Sequence, residues 1–226
     1  MSWVCEVAMR GEANAGEPVW TWFKTNLART WSELPDLSAL DVYRPAQQAA
    51  HDPYNDDKHG PLLLAMPEFR SVEGLTAARP RIEADLAHLP SGITATVSGF
   101  ERRLYPIAGK AAPMHAPFSY VVRYHRPAED EKAFVANYVA THPQTQADLP
   151  KIRSILCYFP VQMSGRLPDA DYMIGNEVVF DTIGDFNAAM QSPVRQELRK
   201  HFHEFPKFSG AVTHFPMDRI RLVPAR

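Results

Sequence analysis

Short apolar runs alternate with helical patterns through the second half of the chain. The run FSYVVRYH (118–125) is rich in β-branched and aromatic residues, which is typical of a strand. Phe134, Val135 and Tyr138 recur instead at helical spacing. These two patterns predict strands at 118–125, 152–160, 172–180 and 210–223, and helices at 128–142 and 180–190. The predicted order is strand, helix, strand, strand, helix, strand.

The first half of the chain carries the same pattern. Strands are predicted at 3–9, 37–43, 61–69 and 93–105, and helices around 19–31 and 71–89. In the first of these helices, Trp20 and Trp31 share one face and indicate a core position, whereas Trp22 lines a pocket or an interface.

Three stretches occur twice in the same order. ELPDLSALDVYRPA (33–46) parallels DLPKIRSILCYFPV (148–161), with 158 − 43 = 115 at the tyrosine. FRSVEGLTAA and FDTIGDFNAA follow at 180 − 69 = 111, and ERRLYP and RIRLVP at 219 − 101 = 118. Ordered matches with drifting offsets predict a duplication with small loop changes. The predicted units are 1–107 and 118–226, joined by a linker at 108–117.

A βαββαβ unit is the ferredoxin-like arrangement, in which both helices lie on one face of a four-stranded sheet. In the segment IRSILCYF, apolar residues occur at both odd and even positions, so both faces of this strand are expected to be buried. Its sheet therefore needs a packing layer on each face. The simplest cover for one unit is the other. We therefore predict an α+β fold in which two tandem ferredoxin-like units pack their antiparallel sheets face to face within one chain. A homodimer through edge strands is a further expectation.

The composition mainly excludes classes of protein. The chain has 226 residues, 24 basic and 26 acidic side chains and a formal charge of −2, which gives no basic footprint for nucleic acid. No apolar run approaches the roughly 20 residues of a membrane helix. The N-terminus lacks the pattern of a secretory signal. Cys5 and Cys157 form no CxxC pair. A soluble protein of the cytoplasm with reduced thiols is expected.

One histidine stands out in the predicted helix of the second half. Tyr138 and His142 are four residues apart and share a helical face. Because Pro143 disfavours helical geometry in the residue before it, we predict that the helix ends at His142. His142 is then either an acid–base group at the mouth of a site or a cation that complements the helix C-terminus, worth about 0.3–1 kcal/mol.

The second half resembles the EthD-like family of the dimeric α+β barrel superfamily. The similarity lies in the helix with Tyr-x-x-x-His before a proline, the Leu-Pro before the next strand, the Phe-Asp-Thr step and the ending AAMQSP. The resemblance implies a pseudo-barrel with a pocket between sheet and helix. It also implies isomerase, cyclase or dehydratase chemistry without metal or cofactor, with His142 and Tyr138 as the candidate catalytic pair.

Two features differ from the family. One residue usually separates the histidine from its proline, whereas Pro143 follows His142 directly, and KHFHEF stands where members often carry an aspartate. The first half also lacks the pair, since 142 − 115 gives Leu27 and the position of Tyr138 is Phe23. Histidine chemistry is therefore predicted once per chain.

Four strand residues are further candidates for binding a ligand. They are Arg123, Tyr158, Glu177 and His214, one on each predicted strand of the second half. We expect them to converge inside the barrel. Their first-half counterparts include Tyr43, Met66 and Thr96, so only the tyrosine recurs. A second interpretation makes Arg123 and Glu177 a structural ion pair, because a buried carboxylate needs a partner.

Metal sites are not predicted. His201 and His203 are two residues apart, so on a helix they point in different directions. The segment HDPYNDDKHG (51–60) could hold a cation, but a solvated turn explains it more simply. Phosphate-loop, nucleophile-elbow and Cys–His signatures are missing from the sequence.

Three functions remain open. The first is a cofactor-free isomerase, cyclase or dehydratase that acts on a small, mostly apolar carbonyl compound through His142. The second is a protein that binds an apolar metabolite without reacting with it. The third, by analogy of fold alone, is a haem-binding barrel with a histidine ligand.

Overall fold

The computed structural model describes residues 2–54, 60–107 and 115–223. The first half contains strands β1 (Ser2–Arg10), β2 (Leu37–Pro45), β3 (Leu63–Phe69) and β4 (Thr94–Tyr105), with helices α1 (Gly16–Asn26), α2 (Ala28–Ser32) and α3 (Val72–Asp85). The second half contains strands β5 (Phe118–His125), β6 (Ser154–Val161), β7 (Tyr172–Phe180) and β8 (Val212–Val223), with helices α4 (Glu131–Gln146), α5 (Ile183–Met190) and α6 (Pro193–Glu204). Most of the predicted linker, 108–114, lies outside the described residues.

The eight strands form one closed barrel in the order β1-β3-β2-β8-β5-β7-β6-β4, with every described pairing antiparallel. Each half supplies a ferredoxin-like sheet, and the predicted intrachain packing of the two sheets is confirmed. The sheets also join at their edges, through β2–β8 and β4–β6. Closure removes the free edges that would otherwise offer pairing to another chain.

Alternating side chains divide the core into three layers. On β5, Val121 faces the barrel interior, while Val122 and Tyr124 face the helices of the second half. The first half has an equivalent outer layer between its own sheet and helices. Strands buried on both faces explain the apolar runs at both parities in the sequence.

Strand register corrects one offset of the repeat. Tyr43 pairs with Arg219 and Tyr158 pairs with Arg102, so β4 and β8 correspond at 219 − 102 = 117 rather than 118. A slip of one residue exchanges the two faces of a strand. The first-half counterpart of His214 is therefore Val97, a core residue, and not Thr96.

Helix α4 runs past Pro143 to Gln146, so the predicted helix end at His142 was wrong. Proline removes the N–H that would bond to the Val139 carbonyl one turn earlier. The Gln144 side chain donates to that carbonyl instead, at 3.2 Å between Nε2 and O. The helix continues because a side-chain donor replaces the missing backbone donor. The second helical segment divides at Ser192, and Pro193 begins α6.

No helix within the described residues is long and apolar enough to span a membrane. Cys5 and Cys157 are both buried free thiols.

Candidate functional site

A cavity of about 360 Å³ lies between the second-half sheet and helices α4 and α6. Its size falls at the lower end of the range for small-molecule pockets. Apolar side chains form much of its wall, among them Val122, Leu149, Val178, Met190, Leu198 and Val212. The polar groups of the wall come from both halves of the chain.

Helix α4 presents Tyr138, His142 and Gln146 to the cavity at successive i, i+4 positions. His142 is only 7% exposed, and its Nδ1 has no hydrogen-bond partner among the described residues. Burial, helped by the charges of His201 and Arg195, lowers the pKa of His142 to about 3. The imidazole is therefore neutral near pH 7. It lies inside the helix and not at its end, so the role of a C-terminal cation does not apply.

Tyr138 lies beside His142 in the wall, with 4.8 Å between the two ring centroids. It is fully buried, and its hydroxyl makes no hydrogen bond of good geometry within the described part of the chain. Burial, with a contribution from Tyr124, raises the pKa of Tyr138 well above its usual value. Tyr138 is therefore a neutral phenol at physiological pH.

Gln146 and Asn176 form a reciprocal amide pair in the floor of the cavity. Gln146 Nε2 donates to Asn176 Oδ1 at 2.7 Å, and Asn176 Nδ2 donates to Gln146 Oε1 at 3.1 Å. Asn176 Nδ2 also donates to the Leu156 carbonyl at 3.2 Å. Sequence reasoning missed both residues. Gln146 continues the i+4 series of Tyr138 and His142, but the expected helix end at Pro143 concealed it.

An ion pair between the halves forms another part of the wall. Asp52, on the segment after β2, accepts hydrogen bonds from Arg195 Nε at 3.0 Å and from Arg195 Nη2 at 2.9 Å. The Tyr120 hydroxyl also donates to Asp52, at 3.1 Å. Neither Asp52 nor Arg195 was predicted, because they are 143 residues apart in the sequence.

The segment 51–60 was predicted to be a solvated turn. Its described residues His51, Pro53, Tyr54 and Gly60 are exposed, with a turn at 53–54, but hydrogen bonds also tie this segment to helices of the second half. His51 N donates to Asn187 Oδ1 at 2.7 Å, and Asn187 Nδ2 donates to the Ala49 carbonyl at 3.1 Å. Together with buried Asp52, these bonds hold 49–54 against α5 and α6. Residues 55–59 lie outside the described part of the chain.

Of the four strand candidates, only His214 reaches the cavity. Its ring stacks on Tyr120 with centroids 5.7 Å apart. Arg123, Tyr158 and Glu177 project to the opposite face of their strands, into the closed barrel, and each is fully buried. The expected convergence of all four residues was therefore wrong, because His214 occupies the other parity of β8.

Inside the barrel, Glu177 is the centre of a hydrogen-bond network that joins the two halves. Tyr158, Ser119 (2.6 Å) and Tyr43 (3.2 Å) donate to its carboxylate. Arg219 Nη1 lies 3.7 Å from the same carboxylate. The two tyrosines that recur in the repeat thus donate to one shared acceptor.

Arg123 does not pair with Glu177 as the second interpretation expected. Its guanidinium binds Glu6 of the first half, with 3.1 Å between Nε and Oε2 and a second bond from Nη2. Its partner is therefore on β1, which no pattern in the sequence identified. Any contact of Arg123, Tyr158 and Glu177 with a ligand remains a prediction.

Large side chains fill the corresponding region of the first half. By the repeat offset of 115, Tyr138, His142 and Gln146 correspond to Phe23, Leu27 and Trp31. All three side chains are buried in one core cluster, at 0% (Phe23), 4% (Leu27) and 0% (Trp31) exposure. A polar stripe in one half thus corresponds to an apolar stripe in the other.

Within the described ranges, no group of three or more His, Cys, Asp or Glu side chains is arranged to hold a metal ion. His201, one of the pair considered above, contacts Thr145 at 3.2 Å between Nδ1 and Oγ1.

A scan of protein-family models found no match, and no curated protein matches the sequence. Solved structures do match. An anthrone oxidase-like protein is 11% identical, covers 97% of this chain and 91% of its own, and has a TM-score of 0.65. A proposed monooxygenase from Fusobacterium nucleatum is 6% identical, with coverages of 99% and 95% and a TM-score of 0.61.

An ethyl tert-butyl ether d (EthD) family protein from Bacillus halodurans also matches, at 18% identity. It covers 43% of this chain and 96% of its own, with a TM-score of 0.34, so the whole-chain comparison rests on the two longer matches. Identities this low establish fold and not chemistry. The chain has a dimeric α+β barrel fold, with both halves of the barrel supplied by one polypeptide.

Proposed function

We propose that the second-half cavity binds a small, mostly apolar carbonyl compound and that His142 transfers a proton to and from it without a cofactor. The observation that carries this proposal is a neutral, buried imidazole in a cavity wall whose Nδ1 has no partner among the described residues. A buried polar group left unsatisfied costs about 1–3 kcal/mol, and a ligand that pairs with it recovers that energy.

The chemistry follows from the environment of His142. Lowering its pKa from 6.5 to about 3 opposes protonation by about 5 kcal/mol. An anion formed in the same step offsets this cost, because opposite charges attract strongly in a poorly solvated cavity. A C–H that is next to a carbonyl, or conjugated with one through an aromatic ring, meets this requirement. The proton moves to the imidazole, and the electron pair of the broken bond delocalises onto the carbonyl oxygen as an enolate.

The fate of the enolate defines the reaction class. Return of the proton from His142 to a different carbon is an isomerisation, loss of a β-hydroxyl as water is a dehydration, and attack on a second carbonyl is a cyclisation. Neutral Tyr138, next to His142 in the wall, would then serve as a neighbouring donor once a ligand carries negative charge. The apolar wall supplies binding energy through burial of the rest of the ligand.

Deuterium exchange tests the proton transfer directly. The anthrone oxidase-like barrel suggests anthrone as the probe, since it is an apolar ketone with an acidic methylene group. Loss of the methylene signal in D₂O without oxygen, followed by NMR, should be faster with the protein than in buffer. His142→Gln should slow the protein-catalysed rate about 100-fold or more. His203→Gln, which changes an exposed histidine on α6, is the matched control.

The alternative function is binding without reaction, and the same apolar cavity favours it. Anthrone that binds to the wild type, measured by calorimetry, but exchanges no faster than in buffer would support this alternative and exclude proton transfer to His142 from this ligand. The haem alternative predicts a Soret band on addition of haem that is lost in His142→Ala.

A further inference from the structure

Among the described residues of the cavity wall, the arginines outnumber the carboxylates. The described arginines and carboxylates that line the cavity are Arg195, Arg199 and Asp52. Arg195 is neutralised by its two hydrogen bonds to Asp52. No carboxylate of the described residues lies within ion-pair distance of Arg199. Among the described residues, the positive charge of Arg199 at the cavity therefore has no carboxylate partner.

The contacts that the described residues make with Arg199 are with aromatic rings. Its guanidinium carbon lies 5.4 Å from the ring centroid of Tyr54 and 5.0 Å from that of Phe202. Stacking on aromatic rings uses the face of the guanidinium, whereas its N–H groups lie in the plane and point outwards. The planar fork can therefore receive a carboxylate through two parallel hydrogen bonds.

The position of Arg199 also sets how a ligand would lie. Arg195, Arg199 and Phe202 follow one face of α6, opposite the face of α4 that carries His142, and the cavity joins the two. The Tyr54 ring contacts both arginines, with its centroid 4.8 Å from the guanidinium carbon of Arg195 and 5.4 Å from that of Arg199.

We propose that the cavity selects organic acids: Arg199 binds a carboxylate of the ligand, and the apolar body of the ligand extends along the wall towards His142. This inference rests on the proposed function, because it takes the same cavity as the ligand site. It narrows the substrate class from apolar carbonyl compounds to those that also carry an acidic group.

A matched pair of probes tests the inference. 2-Naphthoate and 2-acetylnaphthalene have the same ring system, and they differ in a carboxylate against a neutral acetyl group of similar size. In calorimetric titrations near pH 7, the wild type should bind naphthoate at least about 10-fold more tightly than the ketone. Arg199→Gln should abolish this preference and change the affinity for the ketone less than about twofold.

Lys200→Gln is the control, since it removes the same charge from the next residue of α6, which is exposed and bound to Glu197. It should keep the preference for naphthoate. Equal binding of the two probes by the wild type, or a preference that survives in Arg199→Gln, would overturn the inference. If the ketone binds and naphthoate binds no more tightly, only the acid selectivity fails. If neither probe binds, the proposed apolar ligand fails with it.

Discussion

At the scale of single residues, His142 shows how one substitution changes what a fold can do. The equivalent position in the first half is Leu27, which is buried in an ordinary core. His142 has similar burial, but its Nδ1 has no hydrogen-bond partner in the described part of the chain and its pKa is lowered to about 3. A group with a perturbed pKa in a cavity is typical of functional sites. Such a group lowers the stability of the fold, so it is kept only where it has a function.

The lowered pKa predicts a pH dependence of stability. Unfolded histidine titrates near 6.5, so between pH 6.5 and 3 the unfolded state binds more protons than the folded state. Stability therefore falls as the pH falls through this window. From about pH 7.5 to about pH 5, His142 alone should lower the free energy of unfolding by about 2 kcal/mol. Urea unfolding of wild type and His142→Gln at both pH values measures the difference.

Comparing the wild type with His142→Gln isolates the contribution of His142 to the pH dependence of stability. His115 and His125 also have lowered pKa values, mainly through burial, but they contribute equally to wild type and variant. His203→Gln, at an exposed position, should lose as much stability on acidification as the wild type does. If His142→Gln loses as much as well, the imidazole is not the buried neutral base described above.

At the scale of elements, α4 shows why the candidate site was only partly predictable. The i, i+4 relation of Tyr138 and His142 was readable from the sequence, and both residues line the cavity. Gln146 was not identified, because Pro143, considered from the local sequence alone, predicts that the helix ends before it. Whether a helix continues through a proline depends on what satisfies the freed carbonyl, and here that is a side chain one residue away.

A double-mutant cycle tests this account of α4. Pro143→Ala restores the N–H that can bond to the Val139 carbonyl, so the Gln144 side chain is then no longer needed. Gln144→Ala should therefore cost more in the wild type than in Pro143→Ala. A coupling free energy of about 0.5–1 kcal/mol is expected from urea unfolding of the four proteins. Additive effects would contradict the replacement of the backbone donor by Gln144.

At the scale of the whole molecule, each half covers the other with a loop. The segment 162–171 of the second half lies on α3, where Arg79 binds Asp169 at 2.8 Å. The segment 49–54 of the first half lies on α5 and α6, where Arg195 binds Asp52. Glu83 strengthens the first contact, because its carboxylate accepts a hydrogen bond from the backbone N–H of Arg166 at 2.8 Å. The second contact, between Asp52 and Arg195, leaves a cavity behind it. The two halves therefore share an arrangement, but the predicted site lies in the second half.

Barrel closure predicts that the halves unfold together. All four tryptophans (Trp3, Trp20, Trp22 and Trp31) lie in the first half, so their fluorescence reports on that half, whereas far-UV circular dichroism reports on the whole chain. The two urea transitions should coincide, because strand pairs and the Glu177 network cross between the halves.

A second-half variant sharpens this test. Glu177→Gln should lower the free energy of unfolding by about 3 kcal/mol and move both transitions equally, since it removes the carboxylate charge beside Arg219 and replaces one of the two acceptor oxygens by an N–H donor. Glu129→Gln, at an exposed position, is the control. A shift in circular dichroism without a shift in fluorescence would mean that the halves unfold independently.

The sequence by itself determined most of the elements, and it predicted that they form two units. Apolar periodicity is a local property, and strands such as 118–125 and 172–180 have the predicted bounds. Burial on both faces of a strand is also visible in its composition, and it was enough to predict that one sheet covers the other. The polar pair Tyr138–His142 was visible for the same reason, since both residues lie within one helix.

Only the tertiary structure decided which polar groups meet. The partners of the buried charges come from distant segments: Glu6 with Arg123, Asp52 with Arg195, and Tyr43 with Glu177. The face on which His214 lies depends on a register offset of 117, and a one-residue difference would place it inside the barrel. Periodicity within a segment carries no information on pairing between segments. Closure of the barrel sets that pairing, and with it the composition of the cavity.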